Sequence, residues 1–519
     1  MTQAQATSSA GPDSRSRKDA GIGRSALAFA FVGSACLLVL EIVAGRLVAP
    51  RLGVSLYTWT SVIGVVLGGV TLGNYLGGRL ADRWPSRSTV ALIYLAGSIA
   101  SLAILGLVHY ISALELPTST PAIVQVLWLN AVLFFVPSTI LGAATPVLTR
   151  ISLHAIEEGG RVVGRIQAAA SFGSIVGTFL TGFVLISAFG TRRIVAGVAL
   201  TLLLLAVAAR PPWLRNRAYE LSSLALVIFV AGAVTQAPCL RESDYYCIKV
   251  INVNLTRQTA TGAAAVPGTF RDLYLDRLLH GVSDLTDPTV LFYPYEQLYA
   301  QAIKRVHPHN TSVDVFFIGG GAYTFPRYLE ASYQGNIVVS EIDPAVTKTA
   351  REKLGLAASS RMEIHHADAR RVLRTLPADQ QFDFIFGDAF NDFQVPYHLT
   401  TREFNGIVAR HLKPDGLYLM NIIDGVHYDY LRSEVRTLRE TFPYVGVIAP
   451  SGDWPPRPRD RITYVLVTGL RPPSVALPIV PQDNLETFMR TGKSVLLTDD
   501  HAPLDQLLAP TWSAALKDG

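Results

Sequence analysis

The sequence predicts a multi-pass α-helical membrane domain, followed by a small antiparallel β unit and a Rossmann-like α/β domain. Long apolar runs fill the chain up to about Gln236, whereas charged residues, prolines and ordinary globular patterning follow it. Beyond that point strand-like runs alternate with helical patterns, which is typical of a mostly parallel sheet covered by helices on both faces. Since 519 residues can form two or more domains, we expect a disordered tail over residues 1–24, membrane helices over 25–237, the β unit over 238–285 and the α/β domain over 286–519.

The composition argues against a nucleic-acid partner and against a bound metal. The net charge of +5 is modest and no block of like charges resembles a nucleic-acid-binding arm, so we predict no nucleic-acid partner. The three cysteines have no zinc-binding spacing, so we predict no metal. Cys239 and Cys247 form either a disulfide or two buried thiols. The apolar run after Arg24 is the first of a set, which argues against a cleaved signal peptide.

Seven apolar runs approach the roughly 20 residues that a helix needs to cross a bilayer. They are Ser25–Val48, Thr58–Leu76, Thr89–Ile111, Ala122–Leu141, Ile166–Phe189, Ile194–Ala209 and Leu221–Gln236, of which the sixth is short. We therefore predict about seven helices with the lipid bilayer as a partner. Small residues recur at helical spacing within Gly64–Gly78 and Ser171–Gly182, which favours close helix packing and allows a homo-oligomer.

Polar residues follow the predicted strands of the α/β domain, where ligands of such sheets bind. The strands are Val313–Ile318, Ile337–Ile342, Met362–Ala367, Phe382–Phe386, Gly416–Ile422 and Ile462–Thr468. Three glycines after the first strand allow a tight turn and a close backbone approach to a ligand. Acidic residues follow the next three strands: they are Glu341 and Asp343 in SEIDP, Asp368 in HHADA, and Asp388 and Asp392 in GDAFND. Four such loops in order favour a nucleoside-type site.

These motifs resemble those of spermidine synthases. The segments LYLDRLLHGVSDLTDPTVLFYPYEQL (Leu273–Leu298), IGGGA, SEIDP, HHADA and GDAFND occur in the same order as in that family. Spermidine synthases are aminopropyltransferases that share the fold of S-adenosylmethionine (SAM)-dependent methyltransferases, and the likeness runs from about Tyr245 to the end. The earlier spans, including EIVAGRLVAPRLGVSLYTWTS, resemble bacterial proteins in which a helical membrane domain is fused to such a domain. The resemblance therefore implies a multi-pass protein of the bacterial inner membrane.

The resemblance also implies roles for individual residues. Glu341 would bind the ribose of an adenosyl group, and Asp368 would bind its adenine. Asp388 would deprotonate an attacking amine that Tyr295 positions; a protonated amine has no lone pair with which to displace a sulfonium sulfur. The pattern assigns further contacts to Gly319, Gly320, Gly321, Asp343 and Ala369 on the adenosyl side, and to Asn391, Asp392 and Glu296 on the acceptor side.

Three departures from the family pattern concern the reactive tail of the ligand. The synthases have an aspartate after the three glycines, where this chain has Ala322. The second aspartate of their D-S-S-D-P motif is Asn391 here, and the tyrosine of their Y-P-S-G motif is Ala449. The adenosyl side is thus retained and the tail side altered. We expect SAM or decarboxylated SAM as cosubstrate. A polyamine is one candidate acceptor, and the sequence leaves the identity of the acceptor open.

Several functions fit these residues. The leading hypothesis is a membrane-anchored, spermidine synthase-like transferase that releases methylthioadenosine. Methyl transfer to a lipid or amine, or a lyase reaction that breaks SAM down without an acceptor, would use the same site. A sensor or transporter that binds a nucleoside or polyamine is a different class, which Glu41 and Arg46 within the first apolar run favour slightly, since charge inside a bilayer is a functional hypothesis by default.

The side of the membrane is contested by two arguments. Thirteen Lys and Arg lie in the tail and in the loops after spans two, four and six, and four lie in the alternate loops. The positive-inside rule puts the tail in the cytoplasm, and seven spans would then put the α/β domain outside. The pair Cys239 and Cys247 would also suit the outside, where a disulfide is stable. Against this, SAM is made and kept in the cytoplasm. We expect the cytoplasmic face, since an enzyme needs its cosubstrate.

Overall fold

The computed structural model describes residues 14–52, 56–111, 122–153, 159–209, 239–258, 265–307, 311–389, 395–449, 454 and 462–518. The chain divides into two compact units, one formed mostly by residues before 237 and the other mostly by residues from 238 onward. The predicted seventh span, Leu221–Gln236, and the predicted acceptor-side residues Asn391 and Asp392 lie outside the described residues.

Among the described residues of the first unit, six helices are long and apolar enough to cross a membrane. They are Ser25–Ala49, Leu56–Arg83, Arg87–Val108, Ile123–Ser152, Gly159–Leu185 and Thr191–Ala209. The first six predicted spans are therefore confirmed as long apolar helices. The fourth and fifth of these helices are interrupted, so the six correspond to nine α-helical segments. The segments are α1 (Ser14–Leu52), α2 (Leu56–Arg83), α3 (Arg87–Ile111), α4 (Ala122–Asn130), α5 (Val136–Gly142), α6 (Ala144–Ser152), α7 (Gly159–Leu180), α8 (Ile186–Phe189) and α9 (Thr191–Ala209).

Two of these spans contain a π-helical turn, and the small residues do bring helices together. The turns are Ala131–Phe135, between α4 and α5, and Thr181–Leu185, between α7 and α8. A methyl group added to Gly177 on α7 would lie 2.5 Å from the carbonyl oxygen of Ala35 on α1. The predicted close packing thus occurs within one chain, as small residues in membrane helices permit.

The second unit begins with a four-stranded antiparallel sheet. Its strands are β1 (Arg241–Glu242), β2 (Cys247–Gln258), β3 (Ala265–Leu275) and β4 (Leu278–Asp284), paired in chain order. The sequence predicts strands at Tyr245–Asn252 and Phe270–Leu275; the first overlaps β2 and the second lies within β3. Cys239 and Cys247 form a disulfide, which decides between the two readings of that pair.

The α/β domain is built on a mixed seven-stranded sheet. Its strands are β5 (Val315–Ile318), β6 (Ile337–Ser340), β7 (Glu363–His365), β8 (Phe382–Gly387), β9 (Leu412–Asp424), β10 (Tyr444–Ile448) and β11 (Ile462–Gly469). Their order is β10-β11-β9-β8-β5-β6-β7, with β5 to β9 parallel to one another and β11 antiparallel to both β9 and β10. This is a methyltransferase-like arrangement. Sequence analysis missed β10, although it predicted the other six.

Helices connect these strands. They are α10 (Pro294–Val306), α11 (Thr324–Ser332), α12 (Pro344–Lys353), α13 (Ala369–Thr375), α14 (Arg402–Arg410), α15 (Asp429–Arg439), α16 (Gln482–Arg490) and α17 (Leu504–Asp518). Successive residues of β5 point to opposite faces of the sheet: Phe316 packs in the apolar cluster on one face and Phe317 in the cluster on the other. Both faces are therefore covered, and the strand VFFI (Val315–Ile318) is apolar throughout because neither face of the sheet meets water there.

Candidate active site

The glycine turn after β5 leads into α11 and lies close to the loop that follows the neighbouring strand β8. Gly319 has a φ of 99° and Gly321 a φ of 50°, in the left-handed region that favours glycine. A Cβ on Gly319 would lie 2.5 Å from the carbonyl oxygen of Asp388, which follows β8. Because Gly319 has no side chain, the loop that carries Asp388 can approach the glycine turn closely. β5 pairs with β6 on one side and β8 on the other, so the loops after these strands lie next to the turn.

Glu341, at the end of β6, holds this turn in place. One carboxylate oxygen accepts hydrogen bonds from the backbone N–H groups of Gly320 at 2.8 Å and Gly321 at 3.3 Å. The other accepts from the N–H of Asp343 at 2.9 Å. Burial raises the pKa of Glu341, and these N–H donors limit the rise. A carboxylate has about four acceptor sites, so three donors leave capacity for a hydroxyl group.

Asp343 has a structural role in this geometry. It is the N-cap of α12, where its side chain accepts from the N–H of Ala345 at 2.8 Å. Its other oxygen accepts a hydrogen bond from the hydroxyl of Ser243, which lies next to β1. With the side chain buried and both oxygens engaged, the geometry lends no support to the predicted ligand contact of Asp343.

Asp368 and Ala369 begin α13 after β7. Asp368 caps the helix by accepting from the N–H of Arg371 at 3.1 Å, and its second oxygen lies 2.6 Å from Nε2 of His398. Burial would raise the pKa of Asp368, but the His398 and Arg371 contacts outweigh it and lower the pKa. Sequence analysis missed His398, which comes from the short 3₁₀ turn Tyr397–Leu399.

Asp388 is half-buried at the end of β8 and is held from two sides. One oxygen accepts from Nδ2 of Asn421 at 2.8 Å, and the other from the hydroxyl of Tyr295 at 2.9 Å. Burial raises the pKa of Asp388, and these two hydrogen bonds oppose the rise. The predicted pair of Asp388 and Tyr295 is thus brought together. Asn421 was missed; the available signal was a single amide within the apolar run LYLMNII of β9.

Glu296, the residue after Tyr295, brings a second carboxyl group to this region. Its Oε1 accepts a hydrogen bond from the hydroxyl of Thr324, just after the glycine turn. Its Oε2 is buried with no partner among the described residues. Burial raises the pKa of Glu296 to about 8, against the Thr324 hydrogen bond and with a smaller contribution from Asp388. At neutral pH this carboxyl therefore keeps its proton, and a positively charged group beside it would favour the ionised form.

Aromatic rings surround these two carboxyl groups. The ring centre of Tyr295 lies 5.7 Å from that of Tyr293 and 5.5 Å from that of Tyr299. Burial and the nearby Asp388 raise the pKa of Tyr295 far above its usual range, so its hydroxyl stays a hydrogen-bond donor. Rings together with carboxylates favour a cation over an anion.

Ala322, the small apolar residue after the glycines, packs inward. It is 2% exposed, and a methyl group added to Gly281 of β4 would clash with its Cβ. An aspartate at this position would therefore push a carboxylate against β4. Ala449, another departure from the family pattern, packs on the apolar cluster that includes Phe316. Within the described ranges no group of three or more His, Cys, Asp or Glu residues is arranged to hold a metal.

Known proteins match the second half of the chain. The chain is 29% identical to the polyamine aminopropyltransferase of Vibrio vulnificus over 133 residues, which are 25% of this chain and 44% of that protein. It is 30% identical to the polyamine aminopropyltransferase of Lachnospira eligens over 174 residues, or 31% of this chain and 60% of that protein. The carboxy-terminal half contains a spermidine synthase-like domain. The chain spans about half the length of these two relatives.

Solved structures similar to the synthase-like domain include two bacterial proteins. A probable spermidine synthase from Corynebacterium glutamicum aligns with a TM-score of 0.42 and 21% identity, covering 49% of this chain and 94% of that one. Spermidine synthase from Thermotoga maritima aligns with a TM-score of 0.29 and 19% identity, covering 46% of this chain and 90% of that one. No protein-family model matches the chain.

Proposed function

We propose that the synthase-like domain is an alkyl-transferring enzyme that uses SAM or decarboxylated SAM and releases methylthioadenosine. The observation that carries this proposal is the setting of Asp388. Its carboxylate follows a central strand beside the glycine turn, and Asn421 and Tyr295 fix its orientation. The raised pKa of Asp388 moves it toward the range in which a general base works at neutral pH. The similarity to polyamine aminopropyltransferases supports the same class of reaction.

The adenosyl part of the cosubstrate would bind at the ends of β6 and β7. Glu341 retains acceptor capacity beside the glycine turn, so it would accept a hydrogen bond from the ribose. Asp368 would accept a hydrogen bond from the adenine amino group. His398 would either keep its contact with the carboxylate of Asp368 or move away from it. Ala369, at the start of α13, is buried next to Asp368 and would form part of the apolar wall.

The reactive tail would lie between the glycine turn and Asp388. The unpartnered oxygen of Glu296 offers a carboxylate for the tail amino group, at a site where Ala322 offers none. An ammonium group beside Glu296 would favour the ionised form of that carboxyl, because an opposite charge lowers the pKa of an acid. Binding of an amine-bearing tail would therefore release a proton near neutral pH.

In the reaction, Asp388 would accept a proton from the ammonium group of the acceptor, giving a free amine. The nitrogen lone pair forms a bond to the tail carbon attached to the sulfonium sulfur. The carbon–sulfur bond breaks, its electron pair stays on sulfur, and neutral methylthioadenosine leaves. Tyr295, which donates to Asp388, would position the base and the amine.

The decisive experiment is turnover by the purified full chain with SAM or decarboxylated SAM, with and without putrescine. We expect methylthioadenosine, and we expect Asp388→Asn to bind the cosubstrate with unchanged affinity but to lose turnover, since the amide keeps the shape and lacks the base. Turnover that survives in Asp388→Asn would exclude the proposed base.

The product identifies the runner-up chemistries. S-adenosylhomocysteine would indicate methyl transfer, whereas methylthioadenosine formed without any acceptor would indicate a lyase. Binding of the adenosyl ligand with no turnover under any condition would favour a sensor or transporter.

We further propose that the synthase-like domain faces the cytoplasm, where SAM is available. The disulfide Cys239–Cys247 favours the opposite face, because disulfides persist mainly in oxidising compartments. With seven spans the count of basic residues also favours that face, whereas with six it favours the cytoplasm. A carboxy-terminal fusion decides the question: alkaline phosphatase is active only outside, and a fluorescent protein is usually dark there. A phosphatase-positive fusion would reverse this assignment.

A further inference from the structure

A cavity of about 460 Å³ lies within the helical unit, among α1, α7, α8 and α9. Its lining is almost wholly apolar and includes Phe31 and Val39 of α1, Leu180 of α7 and Val198 of α9. Sites for small ligands commonly have volumes of about 300–1,000 Å³ and mostly apolar walls. The cavity therefore has the size and chemistry of a ligand site, and the synthase-like chemistry makes no use of it.

Glycines account for the open space. Gly177 brings α7 against the backbone of α1 at Ala35, so these two helices close one side of the cavity. Gly197 lines the cavity from α9, and no atom lies within 4 Å of the point that its Cβ would occupy. The π-helical turn Thr181–Leu185 adds Leu185 to the lining, and such turns are frequent at functional sites.

One charged residue, Arg193, lines this apolar cavity. Its side chain is exposed, and no carboxylate pairs with it among the residues that the structure describes. A guanidinium group forms paired hydrogen bonds with phosphate, and it is the residue type best suited to that anion. An apolar cleft with one arginine thus matches a molecule that has a hydrocarbon chain and an anionic head.

We propose that the cavity binds an anionic phospholipid, with one acyl chain among α1, α7 and α9 and the phosphate group at Arg193. The long apolar helices that form the cavity are of the kind that lie in a bilayer, where such a lipid is the available amphiphile. Open space at Gly197 gives the chain its room, and Arg193 gives the head group its counter-charge. The lipid is a bound component of the helical unit rather than part of the bulk bilayer.

The test is native mass spectrometry of the full chain in mild detergent, titrated with dioleoyl phosphatidylglycerol or with dioleoylglycerol, which has the same acyl chains and no phosphate. The wild type is expected to retain one lipid after the others are stripped and to prefer the anionic lipid by about tenfold, as one charge-assisted contact provides. Arg193→Gln should bring the preference close to one. Gly197→Leu should fill the cavity and lose the retained lipid of either kind.

Two variants serve as matched controls. Gly64→Leu adds the same side chain at a glycine of α2 that also has open space around its Cβ but does not line the cavity, and Arg83→Gln removes a charge at the end of α2. Both should behave as the wild type. Equal retention of the two lipids by the wild type, or an unchanged preference in Arg193→Gln, overturns the proposal. The arginine comparison remains decisive if Gly197→Leu does not fold.

Discussion

Glu296→Gln is expected to remove a pH dependence of stability that the synthase-like domain derives from one buried carboxyl. Glu296 is 2% exposed, and burial raises its pKa from 4.5 to about 8. Between these two pH values the unfolded chain has released the proton and the folded protein still holds it. The free energy of unfolding therefore falls as the pH rises from 4.5 to 8, and the stability contributed by the neutral carboxyl is fully present only below 4.5.

The size of the effect follows from the shift. Each pKa unit corresponds to about 1.36 kcal/mol, so a shift from 4.5 to about 8 amounts to about 5 kcal/mol across this range. Glutamine keeps the shape and the acceptor for Thr324 but does not titrate. The variant should thus be similar to the wild type near pH 5 and more stable by a few kcal/mol near pH 8.

Thermal unfolding of the full chain, followed by intrinsic fluorescence in the same detergent between pH 5 and pH 8.5, would measure this. The exposed Glu440 provides a control, since Glu440→Gln should leave the pH profile unchanged. Identical profiles for the wild type and Glu296→Gln would refute the argument, because they would mean that Glu296 is ionised and compensated in the folded protein.

Two further predictions concern the ligand. Glu341→Ala should weaken the binding of SAM and of methylthioadenosine by about tenfold or more. The variant leaves a ribose hydroxyl and the N–H groups of the glycine turn without their acceptor, and each unsatisfied group costs about 1–3 kcal/mol. An unchanged affinity in calorimetry would rule out the proposed adenosyl site. The wild type should bind SAM at least as well as decarboxylated SAM, because position 322 is an alanine and carries no carboxylate to repel that of SAM; a strong preference of the wild type for decarboxylated SAM would contradict this.

The apolar runs and the residues that end them made much of this architecture predictable. The six long apolar helices, both strands predicted for the β unit and six of the seven sheet strands follow from local pattern. The pairing of Asp388 with Tyr295 was implied by resemblance to a family. In SEIDP, an aspartate directly before a proline is also a typical helix N-cap, and that local role is the one that the structure gives to Asp343.

The partners that orient the acidic residues could not be predicted in the same way. Asn421 reaches Asp388 across 33 positions of sequence, and His398 reaches Asp368 across 30. Neither has a local signature, because the contact exists only after the sheet order brings neighbouring loops together. The unpartnered oxygen of Glu296 could not be predicted either, because it loses contact with water only when the surrounding residues pack around it.

The disulfide at the start of the second unit has a mechanical consequence. Cys239–Cys247 closes a ring around β1, so a pull on the chain at Cys239 is borne by covalent bonds and cannot peel the two-residue strand away. Arg241 within that ring contacts Thr349 at 3.2 Å and Glu352 at 3.1 Å on α12, whose first turn is capped by Asp343. Force applied at Cys239 would therefore reach α12 through the two contacts of Arg241, and α12 begins just after the loop that carries Glu341.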